Sequence, residues 1–271
     1  MYLEYWGLSL KPFENTPDPR FLYSSEQHEE GLSRLLYVVD EQKPAGLLTG
    51  TFGCGKTLLA HTLFQRLNPG VFQTALVANP KMKSVELLRA IARVLGAEGL
   101  PEKLSEMSAD YFHEVIEKML VNNVRDGKRN LLIIDEAHTI TDPDVFEELR
   151  LLLNFQTTES YLMTLFLMGQ PELKERIQKN KQFLQRIPMA FQLDPLKPEE
   201  VAKYIQHRLT VAGAGRPIFT EQAMEAVATA SGGIPRRINQ ICDFSLALGF
   251  FKQTQQITPE IVEEALTSSG L

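Results

Sequence analysis

The octapeptide GTFGCGKT, residues 50–57, constrains the fold of this chain more than any other feature. It fits the pattern G-x-x-x-x-G-K-[ST], and it stands between an apolar run, AGLLT, and a stretch with helical patterning, LLAHTLFQRL. A strand, a glycine-rich turn and a helix in this order can form a phosphate-binding loop, because the turn points backbone N–H groups inward and the helix start adds positive potential. The context therefore predicts a P-loop nucleotide-binding fold.

The residues of this loop have backbone or side-chain roles. Gly50, Gly53 and Gly55 allow the tight turn. Lys56 is predicted to reach the β- and γ-phosphates, and Thr57 to give a hydroxyl ligand to Mg²⁺. The alternative, a glycine turn followed by a chance Lys-Thr pair, leaves the flanking strand and helix unexplained. The predicted nucleotide-binding loop is Gly50, Thr51, Phe52, Gly53, Cys54, Gly55, Lys56, Thr57 and Leu58.

A second apolar run, LLIIDEAH at residues 131–138, ends in two carboxylates. Asp135 is predicted to hold the Mg²⁺ coordination shell, and Glu136 to orient and deprotonate the attacking water. This pair favours hydrolysis over phosphate transfer, and a simple helix start after the strand is the alternative interpretation. His138 either senses the γ-phosphate or only packs, and packing is the favoured interpretation.

Strand-like and helical patterns alternate over the first two thirds of the chain. This alternation predicts an α/β fold with a five-stranded parallel sheet covered on both faces. Ser84 is predicted to cap the helix SVELLRAIARVLG, and Asp142, followed by Pro143, to cap the helix TDPDVFEELRLLLNF. The predicted strands are AGLLTG, VFQTALVAN, NLLIIDE, YLMTLFLMG and MAFQLDPL.

The pattern changes after LDPLKPEE, because no further strand signal follows. Helices are predicted at about 198–212, 221–230, 235–251 and 259–268. We therefore expect a nucleotide-binding αβα core over residues 1–196, which includes an N-terminal segment 1–44, and an all-helical domain over residues 197–271.

Composition excludes several classes of protein. The net charge of −6 and the pI of about 5.5 give no global positive field for nucleic acid or anionic lipid. No apolar run approaches the ~20 residues of a membrane span, and the amino terminus lacks signal-peptide patterning, so we expect a cytoplasmic protein. Cys54 and Cys242 lack metal-type spacing, and a redox switch at Cys54 is disfavoured because only its backbone needs to face phosphate.

The opening of the chain is rich in aromatic residues, with Tyr2, Tyr5, Trp6 and Phe13. We expect this segment to pack across the nucleotide-binding core or beside the adenine. A docking patch for a partner is the alternative interpretation.

Several motifs in order resemble the ExeA/GspA family of AAA+ ATPases, which belongs to type II secretion and pilus assembly. They are the phosphate loop, LLIIDEAH, LRLLLNFQTTE, GQPELKERI, QRI, LDPL and GGIPRRINQICD, with the opening GLSLKPFENTPDPRFLY. The resemblance implies ATP and Mg²⁺ as ligands and a helical AAA+ lid after the core. Secretion-type members commonly continue into a membrane span and a peptidoglycan-binding domain, whereas this sequence ends at Leu271. Two interpretations are open: the chain is the cytoplasmic part of such a protein, or it is a stand-alone ATPase.

The resemblance also implies roles for two polar residues that follow strands. Asn79 matches the residue that turns the catalytic glutamate on or off, and a turn before Pro80 is the alternative. Gln170 occupies the sensor-1 position, where its side chain touches the γ-phosphate or the water. Helix capping ahead of Pro171 is the alternative for Gln170.

Two arginine roles are implied in the same way. Arg186 resembles the arginine finger that reaches a neighbouring subunit's ATP, with Arg176 as the rival and a solvated surface arginine as the alternative. Arg236 resembles sensor 2 of the lid, and Arg237 is its rival because the two differ by about 100° around the helix. An arginine finger that acts on the ATP of a neighbouring subunit implies a homo-oligomer, either a hexameric ring or a spiral.

The family context indicates an ATPase that drives assembly of a secretion, pilus or envelope-export machine, with a protein client and attachment to the inner membrane through a partner. The alternative is a DNA-associated regulator of the TnsC/TniB transposition type. For that role Lys81 and Lys83, or Lys128 and Arg129, would contact DNA phosphates, although such pairs are usually solvated surface. A nonhydrolysing switch is a third possibility, and Glu136 disfavours it.

Overall fold

A computed structural model of the chain describes residues 2–101, 103 and 108–269. Five strands form one parallel sheet in the order β2-β3-β4-β1-β5, and each coincides with a predicted strand. The α/β fold class is therefore confirmed. The strands are β1 Ala45–Gly50, β2 Phe72–Val77, β3 Arg129–Ile134, β4 Met163–Gly169 and β5 Met189–Leu193.

The helices follow the predicted alternation with the strands. Helix α6 begins as predicted, with Asp142 accepting a hydrogen bond from the N–H of Asp144 and with Pro143 at the first position. The helices are α1 Tyr2–Trp6, α2 Glu26–Asp40, α3 Lys56–Arg66, α4 Ser84–Val94, α5 Ala109–Arg125, α6 Pro143–Leu152, α7 Glu172–Lys179, α8 Lys181–Leu184, α9 Pro198–Val211, α10 Glu221–Ser231, α11 Pro235–Phe251 and α12 Pro259–Ser269.

The predicted cap of α4 was wrong. Ser84 is the first helical residue, and Lys83 precedes the helix as its cap residue. The reason is that the carboxylate of Glu86 accepts a hydrogen bond from the N–H of Lys83 at 2.9 Å, which fixes the start one residue earlier.

The chain divides into two compact units. The sheet unit consists of Glu30–Gly50 and Leu59–Leu193, and the helical unit consists of Met1–Glu29, Thr51–Leu58 and Asp194–Leu271. The phosphate loop thus belongs to the same unit as α9 to α12. The division into domains 1–196 and 197–271 stays a prediction.

The central strands of the sheet unit are fully buried. Every residue of β1 and β4 is buried, as expected for central parallel strands covered by helices on both faces. All strands run in one direction, so Gly50, Val77, Ile134 and Gly169 end at the same edge of the sheet. In open parallel sheets this carboxyl edge is where ligands bind, and the phosphate loop follows β1 directly in the chain.

The N-terminal segment is part of the core of the helical unit. Trp6 is buried, and its indole N–H donates to the carbonyl of Leu246 at 3.0 Å. Buried Arg208 donates to the carbonyls of Pro12 and Glu14. The expectation that the aromatic start packs across the nucleotide-binding core or beside the adenine was therefore wrong for Trp6, because α11 offers it both an apolar surface and a hydrogen-bond acceptor.

Within residues 2–101, 103 and 108–269, no helix has the length and apolar character needed to span a bilayer.

Candidate functional site

The phosphate loop has the backbone that its glycines were predicted to allow. Gly53 has φ +87° and Gly55 has φ +104°, which are left-handed values that disfavour residues with a side chain. A Cβ on Gly55 would also lie 3.1 Å from Nε2 of His28. The loop and the start of α3 at Lys56 thus form a backbone cradle of the kind that fits nucleotide phosphates.

Lys56 is held against this loop. Its side chain is buried, and Nζ donates to the carbonyl of Thr51 at 3.1 Å. A buried ammonium group at the first turn of a helix supplies a fixed positive charge for an anionic ligand. The next residue, Thr57, is half-buried and offers a hydroxyl oxygen, a ligand type that suits Mg²⁺.

His28 connects the N-terminal segment to the phosphate loop. Its Nε2 lies 3.1 Å from the carbonyl oxygen of Cys54, and its Nδ1 lies 2.6 Å from Oγ of Ser25. A neutral ring satisfies both contacts when Nε2–H donates to Cys54 and Ser25 donates to Nδ1. Burial lowers the pKa of His28, which favours this neutral form.

Cys54 has the surroundings of a structural thiol. It is fully buried, and its Sγ lies 2.7 Å from Oγ1 of Thr51. Burial raises the pKa of this thiol, so the reactive thiolate is disfavoured. The environment agrees with a backbone role for Cys54 rather than a redox switch.

Arg236 contacts the phosphate loop through its backbone and its side chain. Its N–H donates to the carbonyl of Gly53 at 3.2 Å, and its guanidinium carbon lies 4.5 Å from the ring centroid of Phe52. Arg237 is exposed on the same first turn of α11. Of the two rivals for the lid arginine, Arg236 is the one seen against the loop.

The two carboxylates lie at the carboxyl edge of the sheet unit. Asp135 follows β3, is buried, and accepts a hydrogen bond from the N–H of Glu136 at 2.8 Å. Glu136 has φ +52°, a left-handed value that is uncommon for a residue with a side chain. Strain of this kind is typical of functional positions, because the surrounding structure must enforce it.

His138 and Gln170 lie beside Glu136. Nε2 of His138 is 2.9 Å from Nε2 of Gln170 and 3.6 Å from a carboxylate oxygen of Glu136. Gln170 does not cap α7, since Pro171 occupies that position and the Gln170 side chain turns to His138. The structure therefore brings together the predicted base and the predicted sensor through a histidine for which packing had been the favoured interpretation.

Asn79 forms a local turn. Its side-chain oxygen accepts a hydrogen bond from the N–H of Lys81 at 3.3 Å, and the side chain is exposed. This is the turn geometry given above as the alternative. Its role as a switch for Glu136 stays a prediction.

The two finger candidates both have partners within the sheet unit. Arg186 donates to the side-chain oxygen of Asn154 at 2.9 Å and approaches the hydroxyl of Tyr161 at 3.5 Å. Arg176 donates to the carbonyl of Ile140, which ties its guanidinium to the backbone. Among the described residues the guanidinium of Arg186 pairs with side chains, so its release leaves no buried carbonyl unpaired.

Sequence patterns did not indicate three of these contacts. They are His28 with the Cys54 carbonyl, Phe52 with Arg236, and His138 with Gln170. Each joins residues that are far apart in sequence, whereas periodicity and capping signals report on near neighbours. The sequence clue was that one residue of each pair lies in a recognised motif or next to one.

Known proteins share the sequence pattern and the fold of this chain. A family model described as an AAA domain matches residues 39–177. The chain is 38% identical over 259 residues to general secretion pathway protein A of Aeromonas hydrophila, covering 95% of this chain and 46% of that protein. It is 30% identical over 158 residues to an uncharacterized HTH-type transcriptional regulator of Methanocaldococcus jannaschii, covering 56% of this chain and 38% of that protein. The chain thus spans less than half the length of these relatives.

Solved structures share the fold at low sequence identity. Cdc6p of Pyrobaculum aerophilum superposes with a TM-score of 0.75 at 17% identity, covering 93% of this chain and 70% of that chain. The Aeropyrum pernix ORC2 protein, in ADPNP–ADP complexes, superposes with a TM-score of 0.73 at 17% identity, covering 95% of this chain and 71% of that chain. The Thermotoga maritima RuvB Holliday junction branch migration motor superposes with a TM-score of 0.60 at 18% identity, covering 90% of this chain and 69% of that chain. Because the family model matches more than half of its residues, the chain belongs to the AAA domain family of ATPases.

Proposed function

We propose that the chain binds ATP with Mg²⁺ at residues 50–58 and hydrolyses it with Glu136 as the general base. The observation that carries this proposal is the phosphate loop itself, with Gly53 and Gly55 in left-handed conformations and Lys56 buried against the loop. The family match over residues 39–177 supports it. ATP analogue and ADP complexes of the ORC2 neighbour support the same ligand class.

Each residue has a role that its environment supports. Backbone N–H groups of the loop and the ammonium group of Lys56 bind the β- and γ-phosphates. Thr57 and Asp135 supply oxygen ligands for Mg²⁺, which neutralises charge on the phosphate oxygens when bound. The carboxylate of Glu136 takes the proton from water as the water oxygen attacks the γ-phosphorus. The bond from the γ-phosphorus to the bridging oxygen of the β-phosphate breaks, and ADP leaves with that oxygen.

Two further residues are proposed to detect the γ-phosphate. Gln170 follows β4 at the carboxyl edge, and this role is supported by its contact with His138, whose Nε2 lies 3.6 Å from a carboxylate oxygen of Glu136. Arg236 lies against the phosphate loop, which supports it over Arg237 as the arginine of the helical lid. Both roles add hydrogen-bond donors where charge develops in the transition state.

We also propose that hydrolysis needs a homo-oligomer, a hexameric ring or a spiral. Arg186 is the proposed finger, and its present partners, Asn154 and Tyr161, are side chains that it can exchange for a phosphate. A guanidinium that enters from a neighbour stabilises transition-state charge and raises kcat by about 10³-fold or more in related systems. One subunit alone would then lack a complete site.

The proposed use of this energy is assembly of a secretion, pilus or envelope-export machine. The relative that supports it is general secretion pathway protein A. The net charge of −6 suits a protein client better than a polyanion. Attachment to the inner membrane would then be through that partner, with the chain on the cytoplasmic side.

The DNA-associated alternative has less support from the surface. Lys81 and Lys83 follow the carboxyl end of β2, whereas Lys128 and Arg129 stand at the start of β3, so the two pairs lie at opposite edges of the sheet. Arg129 also stacks over the ring of Phe72 at 5.9 Å. These pairs therefore do not form one basic patch for a phosphate backbone.

ATP hydrolysis measured with and without double-stranded DNA distinguishes the two functions, with the Glu136→Gln variant as the blank. We expect a Mg²⁺-dependent rate in the parent that DNA does not change. A rate stimulated by DNA that collapses with added salt would instead support the DNA-associated regulator. Equal rates in the parent and the variant would contradict the proposed catalytic role of Glu136.

A further inference from the structure

The ring of Phe52 is the side chain of the phosphate loop that contacts the guanidinium of Arg236. The ring is 54% exposed, and the guanidinium carbon of Arg236 lies 4.5 Å from its centroid. The two backbones also approach closely, since a Cβ on Gly53 would lie 2.6 Å from Cβ of Arg236. The first turn of α11 is therefore packed directly against the loop beside this stack.

Phosphate binding by the loop does not require an aromatic side chain at this position. The backbone N–H groups and Lys56 bind the phosphates, so the side chain of residue 52 is chemically unconstrained. A ring that stays half exposed gains little from burial, but its π face attracts a guanidinium. The stack also restricts the rotamers of a long, flexible arginine, which lowers the entropy lost when that arginine binds a ligand.

We propose that Phe52 is a positioning residue that holds the Arg236 guanidinium ready for the terminal phosphate of ATP. This inference rests on the proposed function, in which Arg236 recognises the γ-phosphate. Because ADP lacks that phosphate, Phe52 strengthens binding of ATP relative to ADP. The loop would then contribute to nucleotide discrimination through a side chain that does not itself bind phosphate.

The experiment compares nucleotide affinities in the Glu136→Gln background, in which ATP is not consumed. Calorimetric titration gives Kd for Mg²⁺–ATP and Mg²⁺–ADP before and after Phe52→Leu, which keeps an apolar side chain but removes the π face. We expect Kd for ATP to rise about two- to fivefold and Kd for ADP to stay unchanged. The Phe52→Tyr control keeps the π face and is expected to retain the original ratio.

A matched cycle with Arg236→Met tests whether Phe52 acts through the arginine. In that background Phe52→Leu is expected to leave the ratio of ATP to ADP affinity unchanged. Equal shifts in both Kd values, or the same ratio change with and without Arg236, would show a merely structural role and overturn the inference. If the Glu136→Gln protein binds neither nucleotide, the proposed function fails as well. If it binds ATP but Phe52→Leu leaves the ratio unchanged, only this inference fails.

Discussion

At the scale of single residues, the environment of Glu136 explains how a surface carboxylate can be held for chemistry. Its left-handed backbone, the bond from its N–H to Asp135 and the nearby ring of His138 restrict where the carboxylate lies. The contact of His138 with Gln170 extends this arrangement to the proposed sensor. A base must be oriented before its pKa matters, so these contacts are central to the proposed mechanism.

Glu136→Gln is the direct test at this position. The amide keeps the size of the side chain but cannot accept the proton from water, so we expect kcat to fall about 10²- to 10⁴-fold. Nucleotide affinity should stay close to that of the parent, because the phosphates are bound by the loop. Loss of ATP binding in this variant, measured by titration, would indicate a structural rather than a catalytic role.

His28 makes stability depend on pH in a defined direction. Burial lowers its pKa, and the Cys54 carbonyl and Glu200 only partly oppose this. Below about pH 6.5 the unfolded chain binds a proton that the native ring resists, so the free energy of unfolding falls as pH falls. His28→Gln is expected to flatten this slope, by at most about 1.4 kcal/mol per pH unit.

Urea unfolding between about pH 7.5 and pH 5 measures this slope. His207, which is half-buried and whose pKa burial also lowers, is the matched control. His207→Gln should change the slope less than His28→Gln does, because His207 is the less buried ring. Identical slopes in the parent and His28→Gln would contradict the assignment of His28 as a buried neutral histidine.

At the scale of elements, the N-terminal segment is held on α11 by Trp6. Trp6→Ala removes a fully buried ring and its indole hydrogen bond to the carbonyl of Leu246, so we expect a loss of about 3–5 kcal/mol in the free energy of unfolding. Phe251→Ala, which truncates a 75% exposed ring on the same helix, should change it by less than about 0.5 kcal/mol. Similar losses for both variants in urea unfolding would contradict this packing.

The elements themselves were largely predictable because their signals are local. The strands showed as apolar runs, and Asp142 with Pro143 marked the start of α6. Lys56 and Asp135 could be predicted as site residues because each lies in a short motif after a strand. The start of α4 was misplaced by one residue because Glu86 accepts a hydrogen bond from the N–H of Lys83, which makes Lys83 rather than Ser84 the cap residue. The position of Trp6 depends on α11, which is distant in sequence.

At the scale of the whole molecule, the proposed arginine finger requires an AAA-family ATPase whose active sites are shared between subunits. The phosphate loop and Glu136 are proposed to come from one subunit and Arg186 from its neighbour. Symmetric rings make such sites equivalent, because each subunit presents the same two surfaces. Activity should then depend on which variants stand next to each other, a property that no single-subunit mechanism has.

A mixing experiment measures this dependence most directly. Arg186→Ala and Glu136→Gln are each expected to be nearly inactive alone, because each lacks one half of the shared site. When equal amounts are mixed and allowed to reassemble, an Arg186→Ala subunit beside a Glu136→Gln subunit forms an intact site, and roughly a quarter of the parent rate should return. Control titrations should show that both variants bind ATP. A mixture that stays as inactive as its components would contradict the shared active site.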